Sequence, residues 1–100
     1  ADYITTAVRT GGPGHRGISV IVVPGDSKGL KRRRIQKLGT HSSDTAELFF
    51  EDCRVPAENL VGTENDGFRL IMSGFEGERL VLAIIACAHA RLMFDEARNW

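Results

Sequence analysis

Phe68-Arg69-Leu70-Ile71-Met72-Ser73-Gly74-Phe75-Glu76-Gly77-Glu78-Arg79-Leu80-Val81-Leu82 is the stretch on which the reading of this chain turns. Within it and just beyond, Phe68, Ile71, Phe75, Leu82, Ile85, His89 and Met93 recur at steps of three, four and seven. That spacing lays an apolar stripe along one side of an α-helix and predicts helix over 64–100. Upstream the rule changes. Ile4-Thr5-Thr6-Ala7-Val8 is rich in β-branched side chains, Ile18 to Val23 is a compact apolar run, and Glu47-Leu48-Phe49-Phe50-Glu51 runs on towards Val55-Pro56. Residues 1–56 therefore read as short strands.

The punctuation between those strands agrees. Gly11-Gly12-Pro13-Gly14 marks a hairpin loop over 11–17, Pro24-Gly25-Asp26 a turn, and Gly39 to Ser43 a further loop. Lys31 to Leu38 alternates imperfectly and reads as an exposed strand, while Phe49-Phe50 reads as core. Short strands with glycine-rich turns suggest part of an antiparallel sandwich or barrel. Strands first and helix second give an α+β chain in two parts, residues 1–60 and residues 61–100, with Ala57 to Gly67 as the connection.

Composition removes several functions. Thirteen basic residues balance thirteen acidic ones, so no global positive field exists to hold nucleic acid or an anionic membrane. A hydrophobic share of 42% is enough for a folded rather than a disordered chain. The longest apolar run, Leu80 to Ala88, falls short of the ~18 residues of a membrane span. Cys53 and Cys87 match no metal spacing and read as reduced thiols of a cytosolic or matrix compartment. The chain opens in strand-like sequence and reaches Trp100 without a helix stop, so both ends are expected to be cuts within a longer protein.

Glu78 is the residue with chemistry to explain. It lies three positions after Phe75 and four before Leu82, inside the apolar stripe, and Arg79 borders the same stripe. A carboxylate there loses hydration, and a desolvated carboxylate is a strong proton acceptor, as a general base must be. Gly74 and Gly77, each costing about 1 kcal/mol against alanine in a helix, leave room for another group to approach the backbone. The spacing also allows a plainer role: Glu76 and Arg79 sit at i,i+3 and can pair on the helix surface, and Glu78 can pair with an arginine elsewhere.

Other constellations carry less. Lys31-Arg32-Arg33-Arg34 is either an anion patch or a solvated sheet edge. His41-Ser42-Ser43-Asp44 places its residues too close in sequence for a catalytic triad, and His89 reads as a core or interface histidine. Gly11-Gly12-Pro13-Gly14 lacks both the GK[ST] ending and the following helix of a phosphate loop.

The run from Gly39 to Leu60, with Ser43-Asp44-Thr45, Glu47-Leu48, Phe50, Asp52, Val55-Pro56 and Asn59, resembles the acyl-CoA dehydrogenase signature G-x-x-x-S-D-T-x-E-L-x-F-x-D-x-x-V-P-x-x-N. Ala1-Asp2-Tyr3, Gly17-Ile18-Ser19, Gly67-Phe68, Ile71-Met72 and Glu78-Arg79-Leu80 extend the likeness over essentially the whole chain. The resemblance implies the back part of the family's middle β-barrel domain, followed by the first long helix of its C-terminal four-helix bundle. It implies an FAD-dependent enzyme that oxidises an acyl-CoA to a trans-2-enoyl-CoA. Electrons would pass to an electron-transfer flavoprotein, and the protein would be a homotetramer or dimer, cytoplasmic in a bacterium or in the mitochondrial matrix.

Glu78-Arg79-Leu80 is similar to the segment from which the long-chain and isovaleryl branches supply the α-proton-abstracting base, which makes Glu78 the expected base. The resemblance makes Glu76, Gly77, Arg79 and Arg69 substrate-lining, and puts His15 and Arg16 at the hairpin position that touches CoA. It assigns the flavin contacts to segments outside residues 1–100. An acyl-CoA oxidase-like flavoenzyme, or a non-catalytic acyl-CoA-binding homologue, remains an alternative on the same scaffold.

Overall fold

The computed structural model describes residues 1–100. Strands β1 (Tyr3–Arg9) and β2 (Ile18–Pro24) form a hairpin in full antiparallel register, from Tyr3 opposite Pro24 to Arg9 opposite Ile18. Strands β3 (Leu30–Arg34) and β4 (Ala46–Phe50) form a second antiparallel pair, and β5 (Leu60–Val61) adds to the free edge of β2. A single helix α1 (Gly67–Asn99) follows. The chain is thus α+β, as its two periodicities predict.

Alternation along β1 decides how the two sheets meet. Ile4, Thr6 and Val8 are half-buried while Tyr3, Thr5, Ala7 and Arg9 face out. Thr6, Val8, Ile21 and Val23 of the first sheet line one apolar cleft with Phe50, Cys53 and Val55. The second sheet is tied on by Arg32, whose Nη2 donates to the carbonyls of Gly25 (2.6 Å) and Ala1 (3.4 Å). The Asn59 side chain donates to the carbonyl of Val22 (2.8 Å) and pins the connecting segment to β2.

Three expectations change, and the two readings of the basic run are decided for the solvated sheet edge. The charged strand stops at Arg34, not Leu38, because after the bond from the Ile35 amide to the Thr45 carbonyl (2.9 Å) the chain leaves the ladder for a wide loop. Along that strand Lys31 pairs with Glu51 (2.7 Å), Arg33 with Glu47 and Arg34 with Asp44 (3.6 Å), so the run is a cross-strand ion-pair face and not an anion patch. Phe49 and Phe50 are not core: they are 45% and 42% exposed, on the two opposite faces of the strand, neither of which is fully covered. Phe50 ends at the cleft rim, and Phe49 lies beneath the Arg33 guanidinium, 5.9 Å from its ring centroid. The helix begins at Gly67 rather than at residue 64, since Asn65 (φ 66°) and the bond from the Asp66 amide to the Thr63 carbonyl (3.2 Å) make a turn there.

The helix then runs largely clear of the sheets. At 33 residues it is about 50 Å long, which accounts for most of the 57 Å long dimension of the molecule. The radius of gyration is 18.4 Å, against about 13 Å for a compact chain of this length. Phe75, Leu82, Ile85 and Met93 of the apolar stripe are exposed, as is His89, while Ile71 and Met72 near the helix start are half-buried. The buried residues Gly17, Ser19, Val20 and Gly67 gather instead where helix meets sheet, and Val23 lies in the cleft between the sheets.

Gly67 is required at that crossing. A Cβ there would lie 2.7 Å from the Ser19 carbonyl carbon and 2.8 Å from its Cα, both fixed backbone atoms. In the full-length protein, Gly67→Ala is expected to lower unfolding stability by about 1–3 kcal/mol through overpacking. Ser19→Ala is expected to cost about 1–3 kcal/mol by stranding two polar partners. Denaturant unfolding of both variants checks this; an unchanged midpoint for Gly67→Ala would contradict the crossing described here.

Candidate functional site

The predicted site residues fall into two groups along one helix. At the near end, the hairpin loop between β1 and β2 closes with a 3-10 turn, His15–Gly17, against the helix start. The His15 ring lies 5.5 Å from the Phe68 ring, tilted by 50°, which is within the range of a favourable edge-to-face contact. His15 and Arg16 are both exposed. Neither side chain makes a hydrogen bond or ion pair within the chain, so their donors are free for a ligand.

Beneath that contact is a polar knot. The Ser19 hydroxyl, fully buried, lies 2.6 Å from the Thr10 hydroxyl and accepts the Asn65 amide at 2.7 Å. The Thr10 hydroxyl in turn donates to Asn65 Oδ1 (3.0 Å). These bonds join loop, strand and helix start in one cluster. Next to it, Arg69 Nε donates to both carboxylate oxygens of Asp66 at 3.0 Å, and the two residues form an i,i+3 ion pair at the first turn of the helix. A carboxylate at a helix N-terminus also faces the positive end of the helix dipole.

Glu76, Gly77, Glu78 and Arg79 form the far group. All four are exposed, and none of the three charged side chains is hydrogen-bonded or ion-paired. The surface pair expected between Glu76 and Arg79 is therefore not formed. The partial burial expected for Glu78 is also not found, for a reason shared by its whole face: Leu82, its neighbour on the stripe, is 64% exposed. Glu78 does occupy the stripe, since Ile71 and Ile85 lie seven positions to either side of it, about two helical turns. Arg69 does not share that face. Nine positions at about 100° each turn it to the opposite side of the helix, where Glu76, seven positions on, accompanies it. Glu78 is ten residues beyond Phe68, hence about 15 Å along the axis from the hairpin contact.

Thr10, Ser19, Asn65 and Asp66 were not singled out by the sequence reading. The available signals were a lone serine in the apolar run Ile18 to Val23, and an Asn-Asp pair just before the helix. The clefts between the strands are open, and the carbonyls of Gly12 and Gly14 accept from Arg9. No cluster of His, Cys, Asp or Glu suited to a metal ion is present, and no helix is long and apolar enough to cross a membrane. Cys53 and Cys87 are free thiols.

The Arg69 guanidinium holds the Asp66 carboxyl below the ordinary carboxylate range, chiefly through the hydrogen bond, with burial acting in the opposite direction and the Arg69 charge adding the least. A depressed carboxyl stabilises the fold above its unfolded pKa of about 3.9, and that contribution is lost as pH falls through the lower folded value. An NMR titration is expected to put the Asp66 midpoint below about 3.9, with Arg69→Gln returning it towards that figure. A midpoint already at the ordinary value would contradict the pairing.

Comparison with known proteins agrees with this geometry. Residues 1–53 match the family model described as acyl-CoA dehydrogenase, middle domain. The mitochondrial long-chain specific acyl-CoA dehydrogenase of Mus musculus is 46% identical over 89 residues, 88% of this chain and 20% of that protein. The mitochondrial isovaleryl-CoA dehydrogenase of Pongo abelii is 47% identical over 72 residues, 71% of this chain and 17% of that protein. A crystal structure of an acyl-CoA dehydrogenase from Geobacillus kaustophilus superposes with a TM-score of 0.78 at 50% identity, covering 84% of this chain and 23% of that one. The chain spans about a fifth of the length of such relatives. With the middle-domain pattern in its strands and the likeness continuing into its helix, this chain belongs to the acyl-CoA dehydrogenase family.

Proposed function

We propose that the protein containing this chain dehydrogenates an acyl-CoA between Cα and Cβ to a trans-2-enoyl-CoA, with Glu78 as the base that removes the α-proton. The observation that carries the reading is the place of Glu78: an unpaired carboxylate in line with Ile71 and Ile85, flanked by Arg79 and preceded by two glycines whose added Cβ would meet nothing within 4 Å. An apolar face that excludes water once covered leaves such a carboxylate poorly solvated and reactive. Gly74 and Gly77 leave a strip of bare backbone beside it, wide enough for a thioester to lie close.

The roles divide along the helix. His15 and Arg16 contact the phosphates of CoA at the hairpin end, where Arg69 adds positive charge on its own side of the helix. Gly77 and Arg79 line the reacting end with Glu78, and Glu76 stands on the Arg69 side of the helix. The separation of about 15 Å suits an extended ligand better than a compact one. We take residues 1–60 as the barrel part and 61–100 as the start of the helical part, the helix belonging to a four-helix bundle. FAD, bound by segments outside residues 1–100, supplies the hydride acceptor. Electron-transfer flavoprotein is the electron acceptor in this reading, the protein is a homotetramer or dimer, and the compartment is the bacterial cytoplasm or the mitochondrial matrix. Residues 1–100 alone would be inactive.

The test is Glu78→Gln in the full-length protein. The expected result is a fall in kcat of about 10²- to 10⁴-fold, with acyl-CoA no longer bleaching the flavin. A loss of less than about threefold would sink the assignment of the base.

A further inference from the structure

We infer that Arg9 is a positioning residue for the nucleotide end of the substrate, holding the hairpin loop in the shape that presents His15 and Arg16. This rests on the proposed CoA contact of those two residues. Arg9 closes β1 and is exposed, yet its side chain turns back over the loop that follows. Its Nη1 donates to the carbonyl of Gly12 at 2.8 Å and to that of Gly14 at 3.1 Å. One cationic nitrogen therefore gathers two carbonyls from a loop that holds Gly11, Gly12 and Gly14 and has little else to fix its tip. Glycine loops carry the largest backbone entropy, so an untethered tip would sample many shapes.

The rest of the loop shows how tight the fold-back is. The amides of Thr10 and Gly11 both donate to the carbonyl of Gly17, at 3.0 and 3.2 Å, and close the base. A Cβ on Gly17 would come within 1.9 Å of the Gly12 carbonyl oxygen, so the two limbs of the loop touch backbone to backbone. Arg9 sits at that crossing and draws the Gly12 and Gly14 carbonyl dipoles towards itself. Free to turn outward, those oxygens would repel an anion approaching His15 and Arg16. The guanidinium thus works through the loop: it supports two cations while its bonds to carbonyl oxygens occupy it.

The experiment compares Arg9→Gln, Arg9→Lys and the double variant His15→Ala/Arg16→Gln in the full-length holoenzyme. Two thioesters of the same acyl chain serve as probes, one of CoA and one of pantetheine, which lacks the nucleotide. For Arg9→Gln, KM for the acyl-CoA is expected to rise about tenfold, the scale of one charge-assisted hydrogen bond. Its kcat, and its KM for the acyl-pantetheine, stay within about twofold. Arg9→Lys, which keeps a charged donor, restores most of the affinity. In the substrate-free enzyme, hydrogen exchange at the Thr10 and Gly11 amides speeds up about tenfold in Arg9→Gln while exchange along β1 holds.

Four outcomes overturn the inference. A raised KM with unchanged exchange would mean that Arg9 touches the ligand itself. An equal rise for both thioesters would mean general damage. An unchanged KM for the acyl-CoA in Arg9→Gln, while the double variant raises it, would mean that the loop needs no such support. If the double variant itself leaves KM for the acyl-CoA unchanged, the CoA contact of His15 and Arg16 fails, and the role of Arg9 in binding fails with it.

Discussion

The hydroxyl of Ser19 is the point on which the molecule turns. It is the only fully buried polar side chain, and it meets Thr10 from the hairpin loop and the backbone of Asn65 from the segment entering the helix. A buried hydroxyl must be satisfied, and here its partners come from elements far apart in sequence. Forming those bonds selects one position of the loop and one entry path for the helix together. Gly67 completes the constraint, because only a residue without a side chain lets the helix backbone lie against Ser19. The remaining apolar burial near the joint, Val20, is too small to set this geometry without direction from polar bonds.

The two halves of the chain are held by different means. The strand half is stabilised by ladder hydrogen bonds, with a cleft of half-buried aliphatic groups between its sheets. Its outer charged strand carries exposed cross-strand ion pairs, each worth at most about 1 kcal/mol. The helix half has long-range support only at its first turns. Beyond Met72 its stability comes from backbone bonds and from local pairs such as Arg91 with Asp95 (3.1 Å). The apolar stripe adds nothing there, since its members face solvent.

Much of this was legible in the residues. Periods of two and of three to four separated strands from helix, and the glycine clusters placed the hairpin loop correctly. The errors share a cause. Phe49-Phe50 was read as core from hydrophobicity alone, although strand alternation forbids both side chains from entering one interior. The length of β3 was overestimated because Ile35 to Leu38 looks like strand, and only the pairing with Thr45 shows where the ladder ends. The Ser19 knot was invisible because its members, Thr10, Ser19 and Asn65, are common turn and strand residues whose meeting depends on tertiary approach. For the candidate site, the stripe singles out Glu78 as the residue to propose, whereas the division between the Arg69 side and the Glu78 side needs the helix register.

The crossing at Gly67 also makes the helix a lever. Glu78 lies eleven residues from that fulcrum, about 16 Å along a stiff rod. A tilt of only about 4° at the joint moves the carboxylate by about 1 Å, and in the role proposed for Glu78 such a displacement would cost about a hundredfold in rate. Small changes in the sheet, felt through a backbone contact with no side chain to cushion it, are magnified at the far end.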